Sequence, residues 1–249
     1  MCQTSHSINC TMASGTTTIA SSSPSAPPYH QIRALYDDDT ITVYQAYSAA
    51  IADAAVAAQR LDASPLFRAA RMTWIKPSWG WMLYRAGYSF KDARQERILA
   101  IRVRRACFLG LLARAALTHH RHPAPGAGTT TTTTTTTTEK QGEEGDQGEL
   151  EVRGRGEVVR VQWDPERTVR LERLGHRSIQ IGIPGALAAG WVESGIAGIE
   201  DVTGRARELK RTLDRDPGVS DQQLVELGLV PVERPFEVSE ELQDLLGMR

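Results

Sequence analysis

The stretch Arg71–Gly87, RMTWIKPSWGWMLYRAG, holds the residues of this chain best suited to binding a ligand. It contains three of the five tryptophans together with Arg71, Lys76 and Arg85. Burying aromatic surface beside positive charge is costly unless an anion or a ligand uses that charge. Ser78 follows Lys-Pro and can begin a helix whose backbone N–H groups bind phosphate. We therefore predict an anion-binding site here, although tryptophan and methionine in such a stretch are more often core residues.

Two other clusters carry polar side chains that could complete this site. Gln45 and Tyr47 end a strand-forming run, VYQAY, where they can hydrogen-bond or stack on a ring at the rim of a sheet. Gln180 follows Arg177 in the segment RSIQIG and is flanked by isoleucines. A buried glutamine needs a hydrogen-bond partner, which is either the backbone or a ligand. Ordinary structural roles explain both clusters about as well as ligand binding does.

The common catalytic and nucleotide-binding motifs are absent from the sequence. It contains no GxxxxGK[ST], GxGxxG, HExxH, CxxC or GxSxG. No Asp or Glu occurs in Arg71–Gly87, so general acid–base catalysis is not visible there, and an enzyme would work by positioning and electrostatics. We predict no metal site, because the cysteines lack ligand spacing and His119, His120 and His122 are typical of a polar loop.

The elements that must position these residues alternate irregularly between strands and helices. Runs rich in β-branched and aromatic residues predict strands at 41–47, 72–76, 96–104, 157–163, 169–174 and 179–183. Helices are expected at 49–61, 78–87, 106–118, 186–194, 204–213, 220–227 and 239–246. Ile199–Val202 fits either an edge strand or a connector, and Asp164-Pro165-Glu166 predicts a turn. This order indicates an α+β fold with small antiparallel or mixed sheets and flanking helices.

Composition divides the chain into segments. Residues 1–30 are rich in Ser, Thr, Pro and Ala and are expected to be disordered. A single domain is predicted over 31–205, interrupted at 119–156 by a low-complexity insertion with a run of threonines and an acidic tract. Residues 206–249 are expected to form a helical C-terminal tail.

Charge and hydropathy limit the partners and the compartment. The net charge is −1, but a basic stretch between Arg94 and Arg121 precedes the acidic tract, and the two could screen each other or bind nucleic acid. No apolar run approaches the roughly 18 residues that span a bilayer, so no membrane partner is expected. Scarce cysteine and the lack of a secretory signal favour the cytoplasm or the nucleus.

The motifs VYQAYS, RMTWIKPS-x-x-WM-x-YR, QER-x-LAI, VQWDPER and RSIQIG resemble the domain-of-unknown-function 4291 family, a group of uncharacterised bacterial and fungal proteins. The resemblance covers about 31–105 and 160–202. The chain departs from the family pattern at Trp79-Gly80, at Gln59 and in the poly-Thr insertion, and the first two could loosen a pocket. Membership in this family would imply no established activity.

A more distant resemblance is to the ADP-ribosyltransferase fold, in which NAD lies against two strands and a late Glu or Gln contacts the nicotinamide ribose. This resemblance places Gln45 and Tyr47 at the first motif, Ser78 near the second and Gln180 at the catalytic position of the third. A Gln in place of Glu would weaken polarisation of a hydroxyl nucleophile. Whether the chain is an enzyme therefore stays open at the level of the sequence.

Our leading hypothesis is a cleft that binds a nucleotide-like, phosphate-bearing anion, with NAD as the implied cofactor. Arg71, Lys76, Arg85 and Arg177 are the cations predicted to contact it. The alternatives are a non-enzymatic RNA-binding module, similar to pseudouridine-synthase-and-archaeosine or ASC-1-homology domains, and an interaction scaffold whose tryptophans are only core. Small split sheets with a cleft would favour the transferase hypothesis, and a closed barrel would favour RNA binding.

Overall fold

Small β-sheets and the helices packed on them make up a single α+β domain. The structure is a computed structural model, and it describes residues 26–118 and 156–249. The strands in the described residues are β1 (Arg33–Ala34), β2 (Thr40–Tyr47), β3 (Thr73–Ile75), β4 (Arg97–Arg104), β5 (Ala115–Leu117), β6 (Val159–Arg167), β7 (Arg173–Ile183), β8 (Ile196–Asp201) and β9 (Arg234–Pro235). The helices are α1 (Ala49–Ala58), α2 (Trp79–Ala86), α3 (Arg105–Leu112), α4 (Gly185–Gly190), α5 (Thr203–Arg215), α6 (Asp221–Glu226) and α7 (Glu240–Leu245). A π-helical turn, Trp191–Gly195, follows α4.

The first sheet has the strand order β2-β4-β8, with antiparallel neighbours throughout. Its middle is covered on both faces, since successive residues are buried at 40–45 in β2 and at 98–101 in β4. In β2, Ile41 and Val43 face one hydrophobic cluster, whereas Tyr44 faces the other. The region 199–202, for which the sequence left two interpretations, belongs largely to the edge strand β8.

The second sheet has the order β3-β7-β6-β5 and is mixed, since β5 runs parallel to β6 while the other pairs are antiparallel. One face is apolar and contains Val161, Ile179 and Ile181. The other face carries Gln162 and Gln180, which are register partners on neighbouring strands. This alternation leaves a polar surface on the sheet beside α2.

A backbone bridge joins the two sheets between Tyr44 in β2 and Lys76 just after β3. Tyr44 N donates to Lys76 O at 2.7 Å, and Lys76 N donates to Tyr44 O at 3.3 Å. Pro77 follows immediately and cannot donate a ladder hydrogen bond, so the pairing ends there. Within the described residues the sheets stay open and do not close into a barrel.

Helix α2 begins and ends where the sequence predicts. The Ser78 hydroxyl accepts a hydrogen bond from Trp81 N at 3.0 Å, and Gly87 ends the helix in the left-handed conformation, with φ of 55°. Trp79 packs against Tyr44 with ring centroids 5.1 Å apart, which fixes the helix against the first sheet. Gly80 lets the helix approach β6, because a Cβ there would lie 2.2 Å from Arg167 O.

The segment Asp164–Glu166, predicted to be a turn, lies inside β6, so that prediction is wrong. In the described residues β5 ends opposite Val161, which leaves Pro165 with a partner strand on one side only, where the missing N–H is tolerated. The chain turns later, where Thr168 N donates to Glu172 O and Leu171 has a φ of 69°. The separate strands predicted at 169–174 and 179–183 are therefore replaced by a turn and one long strand, β7.

The helix predicted over 106–118 is also too long. Helix α3 ends at Leu112, and Ala115–Leu117 forms β5 beside Val159–Val161. An apolar run without clear periodicity does not distinguish a buried strand from a buried helix.

Residues 206–249 contain most of α5 together with α6 and α7, and they pack on the rest of the domain. Leu209 and Leu224 join the cluster that contains Tyr44, and Phe236 and Leu246 join the other one. Strand β9 pairs with β1, and His30 Nδ1 donates to the Gly247 carbonyl at 2.5 Å. The disorder predicted for 1–30 and for 119–156 falls on residues outside the described ranges, except for 26–30 and 156.

Candidate functional site

A polar cavity of about 390 Å³ lies where the two sheets and α2 meet. Its apolar wall is formed by Ala46 of β2 and Met82 of α2. The residues that give the cavity its chemistry are Trp74, Lys76, Arg85, Gln95, Gln162 and Gln180. Of the residues predicted from the sequence, the structure thus brings Lys76, Arg85 and Gln180 together.

Lys76 is the most unusual of these side chains. It is only 6% exposed, and it has no hydrogen bond or salt bridge from its ammonium group to any described residue. Burial lowers its pKa from 10.5 to about 8, helped by the positive charge of Arg85 and opposed by Asp164. A buried lysine without an ion-pair partner is rare in proteins, which marks the position as a candidate site.

Arg85 supplies the second positive charge of the cavity. It lies in the last turn of α2, is exposed, and makes no side-chain hydrogen bond or salt bridge within the described ranges. An arginine keeps its charge at all physiological pH values and offers a planar set of donors to a phosphate or carboxylate. Lys76 and Arg85 therefore leave the cavity with positive charge that the described side chains do not neutralise by direct contact.

The glutamines line the cavity on the face of the second sheet. Gln180 Nε2 donates to Gln162 Oε1 at 2.7 Å across the β6–β7 ladder. Gln180 Oε1 makes no hydrogen bond to another described residue, so it remains able to accept one from a ligand. Gln95 lines the cavity from the segment that precedes β4. Amide groups of this kind can recognise the polar edge of a ring or a sugar hydroxyl.

Trp74 contributes an aromatic surface beside these amides. Its partner in the register is Gly182 of β7, and a Cβ on Gly182 would lie 3.0 Å from Trp74 Cη2 and 2.9 Å from Met72 Sδ. The absence of a side chain at Gly182 therefore makes room for the indole ring on the sheet. An indole held in this way can pack against a planar ligand group.

Gln45 and Tyr47 lie outside this cavity. Gln45 Nε2 donates to Thr73 Oγ1 at 2.6 Å and to Trp74 O at 3.0 Å, and Gln45 Oε1 accepts from the Tyr47 hydroxyl at 2.9 Å. Burial raises the pKa of Tyr47 to about 12. Because side chains alternate along β2, Ala46 faces the cavity while its neighbours brace β3 from the other side. The ligand contact predicted for Gln45 and Tyr47 stays a prediction that this geometry does not favour.

Arg71 and Arg177 are also placed elsewhere. Arg71 is exposed in the turn before β3 and does not line the cavity. Arg177 donates to the Tyr29 hydroxyl at 2.7 Å and to Trp163 O at 3.2 Å, so its guanidinium links the N-terminal segment to β6. Of the four cations that were predicted to share one site, Lys76 and Arg85 line this cavity, whereas Arg71 and Arg177 do not.

Ser78 lines a different cavity, of about 360 Å³, on the N-terminal side of α2. Its hydroxyl donates to Glu166 Oε1 at 2.8 Å, and Trp79 N donates to Glu233 Oε1 at 2.6 Å. Burial raises the pKa of Glu233 to about 8, with a further increase from the charge of Glu166 and a decrease from the hydrogen bond to Trp79 N. Carboxylates thus occupy the helix N-terminus at which the sequence predicted a phosphate.

The remaining cavity residues were not among the predicted site residues: Ala46, Trp74, Met82, Gln95 and Gln162. Gln162 could have been found from its place in a strand opposite Gln180, but the turn predicted at Asp164–Glu166 separated it from that register. Gln95 carries no signal of its own, because a polar residue between a helix and a strand is typical of any loop.

The fold and the site define a class: a small α+β domain with a cationic, amide-lined cavity at the junction of two sheets. The sequence model of the family described as domain of unknown function (DUF4291) matches residues 31–236, which is more than half of the chain. The chain belongs to this family. A search of curated proteins finds no match. No helix in the described residues is long and apolar enough to cross a membrane.

Proposed function

We propose that this protein binds a small nucleotide-like anion in the cavity formed by Trp74, Lys76, Arg85 and the glutamines. The observation that carries the proposal is Lys76, a buried residue that lines the cavity and whose ammonium group has no acceptor among the described residues. Burial of an unpaired charge costs free energy that a bound anion would offset.

The arrangement of the cavity favours a ligand with an anionic end and a planar end. Arg85 can bind a phosphate with paired hydrogen bonds, and Lys76 can add a point charge beside it. Trp74 offers a ring face, and the Gln162–Gln180 pair offers amide donors and acceptors. A nucleotide or a nucleotide-like cofactor combines these properties.

The finer form of the proposal is an NAD-binding, ADP-ribosyltransferase-like protein. Two observations support it: Gln180, the residue at the implied catalytic position, lines the cavity, and the sheets are small and split rather than closed. The side chain of Gln180 can orient a ribose hydroxyl, but a neutral amide cannot take up its proton. Gln45, Tyr47 and Ser78, by contrast, give this form no support from their positions.

RNA binding receives less support, because carboxylates pair with half of the arginines in the described part of the basic stretch Arg94–Arg121, leaving Arg102, Arg104 and Arg105 without an ion pair to a described residue. Several of its arginines form ion pairs, namely Arg94 with Asp92, Arg97 with Asp53 and Asp201, and Arg114 with Glu157. A binding surface for nucleic acid needs cations that remain available to phosphates.

Isothermal titration calorimetry with NAD and with ADP-ribose tests the proposal. We expect saturable binding that Arg85→Gln weakens by roughly tenfold or more, because a hydrogen bond to a charged group is lost. Arg71→Gln is the matched control, since Arg71 belongs to the same stretch but lies outside the cavity. Absence of binding by either ligand, or equal losses in both variants, would overturn the proposal.

Nicotinamide release from NAD separates transfer from binding. Transferase-like activity requires release by the intact protein, and we expect Gln180→Glu to increase it because a carboxylate can polarise a hydroxyl. If the intact protein and Gln180→Glu both bind NAD but release no nicotinamide, the protein only binds the ligand and the ADP-ribosyltransferase-like proposal is excluded.

A further inference from the structure

The amine of Lys76 offers chemistry beyond charge recognition. We propose that Lys76 forms an imine with the aldehyde or ketone group of a small anionic ligand in the cavity. This inference rests on the proposed function, since it uses the same cavity and the same anion-binding arginine.

The surroundings of Lys76 are those that make an amine nucleophilic. Its side chain is nine-tenths buried, it faces a cavity, and the guanidinium of Arg85 lines the same cavity. Asp164 is the acidic group whose charge opposes these effects. Because the pKa of Lys76 falls to about 8, about half of the side chains carry the neutral amine at pH 8. Desolvation and a neighbouring cation are recognised ways of activating a lysine for attack on a carbonyl.

Different side chains of the cavity would bind the anion and form the covalent bond. Arg85 stays charged and can hold the anionic group of the ligand, which leaves Lys76 to react in its neutral form. The lone pair on Nζ attacks the carbonyl carbon, and the electrons of the C=O bond move to oxygen. The carbinolamine then loses water, which takes the oxygen and both amine hydrogens, and a C=N bond remains. No oxidant or reductant takes part.

Gln180 can assist this addition. It lines the same cavity as Lys76, and the amide N–H that it does not donate to Gln162 can donate to the carbonyl oxygen as that oxygen gains negative charge. The ligand class that fits is therefore a small phosphate- or carboxylate-bearing aldehyde or ketone, with a planar portion that Trp74 can cover.

The scarcity of lysine gives a sharp test, because the whole sequence contains only Lys76, Lys91, Lys140 and Lys210. The intact protein is incubated with pyridoxal 5′-phosphate, an aromatic aldehyde that carries a phosphate, and imines are reduced with cyanoborohydride. Peptide mass mapping then gives the labelling rate at each lysine. At pH 7.5 we expect Lys76 to be labelled roughly tenfold or more faster than Lys91, which is exposed and outside the cavity, because desolvation and a neighbouring cation activate a lysine.

Variants and a non-reactive ligand distinguish reaction from binding. Lys76→Arg, which lacks a primary amine, should lose the fast label, and pyridoxine 5′-phosphate, which lacks the aldehyde, measures anion binding by the intact protein separately. Lys91→Arg, the matched control, should keep the fast label. Labelling of Lys76 at no more than the rate of Lys91, in a protein that still binds pyridoxine 5′-phosphate, would overturn the imine and leave anion binding intact.

A neutral aldehyde completes the comparison. Reductive methylation with formaldehyde should favour Lys76 with a pH midpoint near 8, whether or not anions bind. Preferential methylation without any phosphate-dependent binding would refute the anion site and retain the reactive amine. Methylation that treats Lys76 and Lys91 alike would refute the reactive amine itself.

Discussion

Tyr44 and Lys76 exchange a pair of backbone hydrogen bonds, and this pair is where the first sheet joins the second. The same residues have side chains of opposite character: the Tyr44 ring is fully buried against Trp79, and the Lys76 amine faces the polar cavity. The backbone bridge thus holds an ammonium group in a place that burial alone would disfavour. Stability and site chemistry are in conflict at this position.

Replacing Lys76 with methionine is expected to stabilise the protein. The folded pKa of about 8 lies below the unfolded value of 10.5, so the unfolded chain binds the proton more tightly. Below pH 8 the burial of Lys76 therefore lowers the free energy of unfolding by its full amount, and this loss shrinks as the pH rises towards 10.5. The lowering of the Lys76 pKa corresponds to about 3 kcal/mol of unfolding free energy, which Lys76→Met should recover at pH 7. Urea unfolding at pH 7 and pH 10 measures the difference, and Lys91→Met serves as the exposed control. Equal stabilities at pH 7 would contradict the burial of a charged lysine.

The raised pKa of Glu233 predicts that the stability of the protein changes with pH in the opposite direction. Its folded pKa, about 8, lies above the ordinary 4.5, so the folded protein binds more protons between these values and its stability falls as the pH rises through that window. Glu233→Gln keeps an oxygen acceptor for Trp79 N and should flatten this dependence. Thermal unfolding from pH 5 to pH 8 tests it, with exposed Glu237→Gln as the comparison. If Glu233→Gln leaves the slope of Tm against pH unchanged, Glu233 is not the source of this pH dependence.

Gly80 and Gly110 should respond in opposite ways to alanine. Both lie inside helices, where alanine is normally favoured by about 1 kcal/mol. A Cβ on Gly80 would lie 2.2 Å from the Arg167 carbonyl oxygen, whereas a Cβ on Gly110 meets no atom within 4 Å. We expect Gly80→Ala to cost about 1–3 kcal/mol and Gly110→Ala to stabilise slightly. Chemical denaturation of the two proteins, measured together, decides; stabilisation by both would show that α2 does not need its close approach to β6.

The insertion between β5 and β6 should tolerate shortening. These strands are parallel neighbours, with Ala115 opposite Val159, so the chain between them needs only to cross back along the strands. Replacing 119–155 with a polar linker of about 15 residues is long enough for such a crossover. The melting temperature should change by no more than about 3 °C, since loop-closure entropy varies slowly with length. A large loss of stability in calorimetry would mean that the insertion contributes contacts of its own.

Much of the fold could be predicted from local sequence. Ser78 and Gly87 determine the ends of α2 through capping and a left-handed turn, and β2 follows from its β-branched and aromatic residues. The failures lie where tertiary pairing overrides local signals. Pro165 suggests a turn, yet β6 continues through it because one side of the strand is unpaired there in the described structure.

The site was only partly predictable for a similar reason. Lys76, Arg85 and Gln180 could be selected because their types are unusual beside apolar neighbours. Whether they share a cavity depends on strand register and on the face that each residue takes, which composition does not give. Gln45 illustrates this limit, since its side chain points to the opposite side of β2 from Ala46 and serves the backbone of β3.

The contact between His30 and Gly247, together with the pairing of β1 with β9, brings early and late parts of the sequence side by side. A short linker could therefore join them, and new termini could be opened between β5 and β6 without cutting a described strand or helix. A circularly permuted chain of this kind would read from β6 through β9 before β1. The strands that carry Gln162 and Gln180 would then be synthesised before Lys76 and Arg85 rather than after them.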